Sequence, residues 1–300
     1  DVYKRQREHV ARRQRCLELR EKLRAGQVTA VNDLVTLNLD IVRFAMDVVA
    51  ECEGCELLRA IHQTLKAVSV LDPTCGSGAF LFAALNILEP LYDACLERMQ
   101  AFVDEAGPLT ATGKEKSEDF RSELDQIAAH PNRRYFTLKS VIVNNLYGVD
   151  IMDEAVEICR LRLFLKLVAQ VEKVADLEPL PDIDFNIRPG NTLVGFASLA
   201  EVQAAMKDKL DYTSDVATVL EDAKKVEERF GMFRRLQAAF GTNALDYRQS
   251  KQVLLERLCK LRDRLDRYLA GVYGVDDEND KAYGTWHDSH KPFHWFAEFY

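Results

Sequence analysis

The sequence has no long hydrophobic run. Its longest nearly apolar stretch, Gly78–Leu88, is interrupted by Asn86. That is short of the roughly 20 apolar residues needed to cross a bilayer, so no membrane-spanning segment is expected. No apolar stretch follows the basic N-terminus, so no secretory signal is expected either. No repeat of fixed period and no low-complexity tract is visible, which argues against solenoids and arrays. The Gly-Lys-Ser/Thr of a P-loop is missing. The GxGxxG fingerprint also fails, because its sixth position, counted from Gly76, is Leu81. Neither ATP nor NAD is well supported. Cysteine does not form an even framework. Seven residues are scattered at 16, 52, 55, 75, 95, 159 and 259, which suits a reducing cytoplasm better than disulfides. Cys52 and Cys55 form a lone CxxC without a second pair. His287, His290 and His294 could add ligands, but Pro292 breaks any helix that would align them, so no metal site is expected.

What is present is ordinary globular material. The 300 residues are 47% hydrophobic and 29% charged, enough for one large domain or two small ones and unlike a disordered chain. The net charge of −8 is uneven. Residues 1–24 hold nine Lys/Arg against four acids, so the rest of the chain is strongly acidic. An acidic body is a poor surface for tracking phosphates. The basic segment could touch nucleic acid, but a solvated amphipathic helix is the favoured reading.

Hydrophobic spacing predicts helices over 7–24, 31–50, 56–64 and 79–103, the last bent at Pro90. The short β-branched run Ala67–Leu71 predicts a buried strand, 141–151 ends in a second, and Ile183–Ile187 is a third. Residues 104–134 are polar and read as an insertion with a short helix near 120–129. Asp153 can cap a helix over 154–173. Residues 197–270 are mostly helical, with a leucine stripe at 254, 255, 258, 261, 265 and 269. Strand, glycine turn, helix, strand, helix, strand argues for an α/β fold with a parallel sheet, and ligands in such sheets bind at the carboxyl ends of the strands.

The residues at those ends carry the chemistry. Gly76 and Gly78 allow close backbone approach, and their turn feeds a helix N-terminus that favours negative charge. Asp72-Pro73-Thr74-Cys75-Gly76-Ser77-Gly78-Ala79-Phe80-Leu81 resembles motif I of the amino-methyltransferases that act on adenine in DNA. In that family the motif wraps the methionine end of S-adenosylmethionine. The resemblance therefore implies cofactor contacts at Asp72, Pro73, Thr74, Cys75, Gly76, Ser77, Gly78 and Phe80. Gly148-Val149-Asp150-Ile151 resembles motif II, which implies ribose hydroxyls on Asp150 and the adenine ring against Ile151. A plainer alternative is that Asp150 or Asp153 caps the next helix. Arg188-Pro189-Gly190-Asn191-Thr192-Leu193 resembles motif III, in which Asn191 would read the adenine amine; an Asx turn explains the same residue. The helix at Leu34–Val49 lies where the family places motif X, with Leu37-Asn38 where Thr-Pro is usual.

Together with NNLYGVDI, DFNIRPGNTLVG and HWFAEFY, these stretches resemble the large methyltransferases of type IIG restriction–modification and phage-defence systems. The resemblance implies a class I, Rossmann-like fold with large helical insertions, S-adenosylmethionine as cofactor and double-stranded DNA as substrate. The expected organisation is a basic helical segment over 1–30, a cofactor-binding core over 31–196 and a helical region with an aromatic tail over 197–300. The family's catalytic Asn/Asp-Pro-Pro-aromatic signature has no counterpart, since no Pro-Pro pair occurs. The opening DVYKRQ resembles translated sequencing adapter of the kind found on metagenomic gene fragments. The chain is thus expected to be a fragment of a bacterial cytoplasmic enzyme, inactive alone and stopping short of its catalytic strand. The tail aromatics Trp286, Phe293, Trp295, Phe296, Phe299 and Tyr300 read as packing residues more readily than as base-stacking groups. Two other readings stay open: a methyltransferase acting on RNA or protein, and a non-catalytic helical interaction protein built on the leucine stripe.

Overall fold

The computed structural model describes residues 2–27, 40–106, 111–173, 180–206, 212–238, 244–276 and 279–299. The expected start of the motif X helix, 34–39, including Leu37-Asn38, lies outside these residues. The chain divides into two compact units, one of residues 1–62 with 90–120 and one of 63–89 with 121–300.

The first unit is helical among its described residues. Helix α1 (Val2–Arg24) is largely solvated, with Leu19 as its buried anchor. Helix α2 (Ile41–Ala50) starts where the Asp40 carboxylate accepts from the Arg43 amide at 3.1 Å, the usual N-cap arrangement. The unit also takes the start of α3 (Cys55–Ala67), the later part of α4 (Ala79–Ala106) and the first half of α5 (Ala111–Ala128). Arg59 forks onto Asp119 at 2.6 and 3.0 Å.

The second unit holds a small sheet of three parallel strands, β1 (Val70–Asp72), β2 (Leu146–Asp150) and β3 (Ile187–Pro189), in the order β1-β2-β3. Register places Asp72 beside Gly148 and Asp150 beside Pro189, so the three carboxyl ends lie side by side. Two buried asparagines tie the strand beginnings. Asn145 ends α6 (Arg133–Asn145) and donates to the carbonyls of Leu65 and Val68 at 2.7 and 2.6 Å. Asn186 donates to those of Val143 and Leu146 at 3.0 and 2.9 Å. Each thereby satisfies backbone carbonyls at or near a strand start.

Several boundaries differ from expectation. The first strand begins at Val70, because α3 continues to Ala67. The third begins at Ile187, because residues 184–186 form a turn whose amides at 186 and 187 both reach the Ile183 carbonyl. Helix α5 is longer than the polar composition suggests. Helix α7 runs over Asp153–Val168, and Asp153 is its first helical residue, not its cap; the cap position is Met152, which makes no side-chain capping bond. Helix α4 passes through Pro90 unbroken. By length and composition α4 could cross a membrane, so its hydropathy alone does not exclude a span. Burial points to a core helix instead: Leu81, Leu85, Leu88, Tyr92, Cys95, Leu96 and Met99 are buried, and Glu89 beside them pairs with Arg134 at 2.7 Å.

Most of the second unit's core is helical. Helices α8 (Leu199–Met206), α9 (Tyr212–Ala238) and α10 (Ala244–Val272) pack around Phe185, Phe230, Phe233 and the leucine stripe. Leu254, Leu258, Leu261, Leu265 and Leu269 are all buried there, so the stripe is spent inside the protein. Helix α11 (Asp280–His290) and the short α12 (Trp295–Glu298) close this core. Trp286 and Phe293 are buried, and Phe293, Trp295 and Phe299 pack on one another, as in the 5.1 Å edge contact of Phe293 and Trp295, while Phe296 packs against the helical core; Tyr300 lies outside the described residues. His294 accepts from the Phe196 amide at 3.1 Å through Nδ1, which leaves Nε2–H to donate to Asp266 at 3.0 Å. Both ring nitrogens are thereby used.

Glu298 is the electrostatic lock of the tail. It is buried between Arg188 of β3 and Arg262 of α10, and the Arg188 guanidinium also donates to the Glu298 carbonyl at 2.8 Å. Burial alone would raise the Glu298 carboxyl, but the two guanidinium groups outweigh it and hold the pKa below the ordinary glutamate value of 4.5. A carboxyl with a depressed folded-state pKa adds stability above its unfolded pKa and loses it as pH falls through the folded one. The denaturant midpoint is therefore expected to fall as pH drops below about 4. Replacing Glu298 by Gln removes the buried anion shared by Arg188 and Arg262 and is expected to cost about 3 kcal/mol in urea unfolding at pH 7. It should also flatten the acid-side loss; an unchanged pH profile in the variant would assign that loss elsewhere.

Candidate cofactor site at the strand ends

The residues singled out by spacing converge at the carboxyl edge of the sheet. After β1 the chain turns through Pro73–Gly78 into α4. Gly76 and Gly78 take positive φ values of +50° and +84°, conformations that L side chains rarely adopt. Two backbone bonds close the turn: the Cys75 amide donates to the Val149 carbonyl at 2.8 Å, and the Gly78 amide to the Cys75 carbonyl at 2.7 Å. The Thr74 amide donates to Asp72 Oδ1 at 3.1 Å. Asp72 Oδ2 is buried and has no hydrogen-bond donor among the described residues.

Asp150, at the end of β2, bridges two segments. Its Oδ2 accepts from the Gly76 amide at 2.8 Å and its Oδ1 from the Met152 amide at 2.9 Å. The alternative role as an organiser of the next helix is thus present in part, through Asp150. Asp153 pairs with Lys291 at 2.7 Å instead. A carboxylate has about four acceptor positions, so two donors leave room for more. Asn191 forms an Asx turn, with Oδ1 accepting from the Leu193 amide at 3.1 Å, and its own amide donates to the Lys291 carbonyl at 2.7 Å. That turn is packed tightly against Phe293: a Cβ at Gly195 would lie 1.9 Å from the Phe293 carbonyl oxygen.

Not every expected residue faces outward. Cys75 is buried and its thiol points into the protein, where a hydrogen bond with Cys159 first, and burial second, push its pKa well up. It keeps its proton at neutral pH and contributes to the loop through its backbone. Pro73, Thr74 and Ser77 are less enclosed than Cys75. Phe80 is 77% exposed, Ile151 48% and Leu193 91%, so each of the three strand ends is followed by an apolar side chain held in solvent.

Two residues of α7 join the site that spacing did not single out. The Cys159 sulfur sits under Gly78, 2.6 Å from where a Cβ would stand. Arg162 Nη1 donates to the Ser77 carbonyl and hydroxyl at 2.5 and 3.0 Å, and its guanidinium lies 4.6 Å from the centre of the Phe82 ring. The available signal was their three-residue spacing on one helix face. Among the described residues no group of three or more His, Cys, Asp or Glu is placed to hold a metal ion.

Residues 48–193 match the family model of the MmeI DNA-methyltransferase domain. That segment is similar to the MmeI-type DNA-methyltransferase domains. The matched span contains all three strand ends and closes at Leu193, within the Asn191 turn. A protein of Methanocaldococcus jannaschii designated a predicted type II restriction enzyme and methyltransferase is 32% identical over 173 residues, which is 55% of this chain. The chain spans 12% of that relative's length. No solved structure matches the chain. The similarity is therefore to DNA-methyltransferase domains and to a restriction–modification protein of that kind.

The Gly78 contact gives a separable test of the loop. Gly78→Ala is expected to cost about 1–3 kcal/mol in urea unfolding, from the clash with Cys159 and from the positive φ. Adding Cys159→Ala should recover the steric part alone, leaving about 1 kcal/mol. Full recovery in the double variant would mean that the backbone conformation carries no cost.

Proposed function

We propose that this chain carries the S-adenosylmethionine site of a DNA methyltransferase that acts on the N6 amine of adenine, on a class I, Rossmann-like sheet. The observation that carries the cofactor reading is Asp72 Oδ2, a buried carboxylate oxygen without a donor. An unsatisfied buried acceptor costs free energy unless a ligand supplies the donor. The ammonium group of the cofactor's methionine end has that chemistry. Asp150 retains acceptor capacity for a ribose diol beside the same loop, Ile151 offers an exposed apolar face for a purine ring, and the Asn191 amide oxygen has a second lone pair for an exocyclic amine. When bound, the cofactor supplies an electrophilic sulfonium methyl for transfer. This chain's residues bind and orient: Asp72 and the glycine loop at the amino-acid end, Asp150 at the ribose, and Ile151 with Asn191 at the base.

The substrate half of the reading rests on kinship with restriction–modification methyltransferases and on the motif I sequence. The 300 residues contain no Asn/Asp-Pro-Pro-aromatic signature to hold a flipped adenine, so methyl transfer by this chain alone is not expected. Seven free thiols suit the reducing bacterial cytoplasm in which such an enzyme would work.

Isothermal titration of the chain with S-adenosylmethionine is expected to give a saturable heat. Asp72→Asn and Asp150→Asn should each weaken binding by about tenfold or more while the circular dichroism spectrum stays folded. A folded wild-type chain that takes up no cofactor at millimolar concentration would overturn the site. Methylation of DNA by the 300 residues would overturn the expectation that transfer needs the Asn/Asp-Pro-Pro-aromatic signature.

A further inference from the structure

Arg162 has no part in the reading above, yet it is fixed at the centre of the glycine turn. An exposed arginine normally samples many rotamers, and pinning one costs side-chain entropy. Here it is pinned by two bonds to Ser77 and by the face of Phe82. No carboxylate pairs with it among the described residues, so an ion pair does not account for its placement. Its grip falls on one peptide unit. The Ser77–Gly78 peptide gives its carbonyl to Arg162 and its N–H to the Cys75 carbonyl, at 2.5 and 2.7 Å. With both ends tied, that peptide cannot flip, although the glycines on either side of Ser77 would let it. The preceding amide, Gly76 N–H, is taken by Asp150 at 2.8 Å. The Ser77 N–H is left without an acceptor among the described residues.

We propose that Arg162 is the positioning residue for the amino-acid end of the cofactor: by holding the Ser77 carbonyl it keeps the turn in the form that leaves the Ser77 N–H free for a carboxylate. This rests on the cofactor reading and adds a selectivity to it. Arg162 acts through Ser77, so its effect falls on the methionine end and not on the adenosine end, which Asp150 serves.

The test compares two ligands by titration with the full chain. S-adenosylmethionine carries the amino-acid end; 5′-methylthioadenosine lacks it. Arg162→Ala is expected to weaken the first by about tenfold and change the second by less than about twofold. Asp150→Asn should weaken both. If Arg162→Ala does not fold, Arg162→Met, which keeps the aliphatic stem over Phe82 but has no donor for the Ser77 carbonyl, serves the same comparison. Equal losses on both ligands would make Arg162 a structural brace and overturn the inference, as would no loss on either. A folded wild-type chain that binds neither ligand would overturn the cofactor reading itself, and that failure is seen before any Arg162 variant is made.

Discussion

The candidate site depends on one carboxylate. Asp150 ends β2 with an oxygen on the Gly76 amide and another on the Met152 amide. The first bond fixes the turn that follows β1, and the second fixes the entry to α7. A carboxylate accepting from backbone N–H groups makes stronger bonds than a neutral acceptor. Two connections that are remote in sequence, 74 residues apart for Gly76 and Asp150, are thus held in one geometry by one side chain. Removing the carboxylate would free both, so its structural role and its proposed ligand role cannot be separated by affinity alone. That is why the two-ligand comparison is informative: it asks which end of a ligand feels a change at a different residue.

The opposite end of the sheet is fixed by neutral groups. Asn145 and Asn186 are buried and satisfy carbonyls at the strand starts. The strands are short, three to five residues, and a sheet of that size buries little area by itself. It is held by side-chain bonds at both ends, by α7 and by the tail that returns to β3 through Glu298 and Arg188. The Arg188–Glu298–Arg262 group differs in kind from the Asp150 bridge. It is an ion-pair network inside the core, with a large desolvation cost that good geometry offsets. Its effect is to tie the end of the described chain to the strand that carries the third turn of the site.

Much of the site was legible in the sequence, because a strand end that must turn sharply into a helix needs glycine at set positions. Gly76 and Gly78 occupy the positive-φ positions that this requires. The three strand ends were found in the right order, but two strands were placed too early. Buried parallel strands lack the alternation that marks a half-exposed strand, so Ala67–Leu71 did not betray where α3 ended, and Ile183 looked like strand while serving as a turn acceptor. Helix α5 was under-read because its polar face dominates its composition. Cys159 and Arg162 were missed for a different reason. Their contacts reach across the fold, 85 residues from Arg162 to Ser77, and nothing local in α7 distinguishes a side chain that props a loop from one that meets solvent.

The exposed apolar residues after the strands bear on what the surface is for. Single exposed hydrophobic residues are common and need no explanation. Phe80, Ile151 and Leu193 differ because each follows a different strand of one sheet edge, where α/β sheets bind ligands. None of the three is needed to form its turn: the glycines, Asp150 and Asn191 do that with backbone bonds. A fold optimised for stability alone would place polar side chains there. The same sheet edge thus carries exposed apolar area and, at Asp72, an unmet polar group. A ligand with a planar apolar part and a cationic part would match both at once.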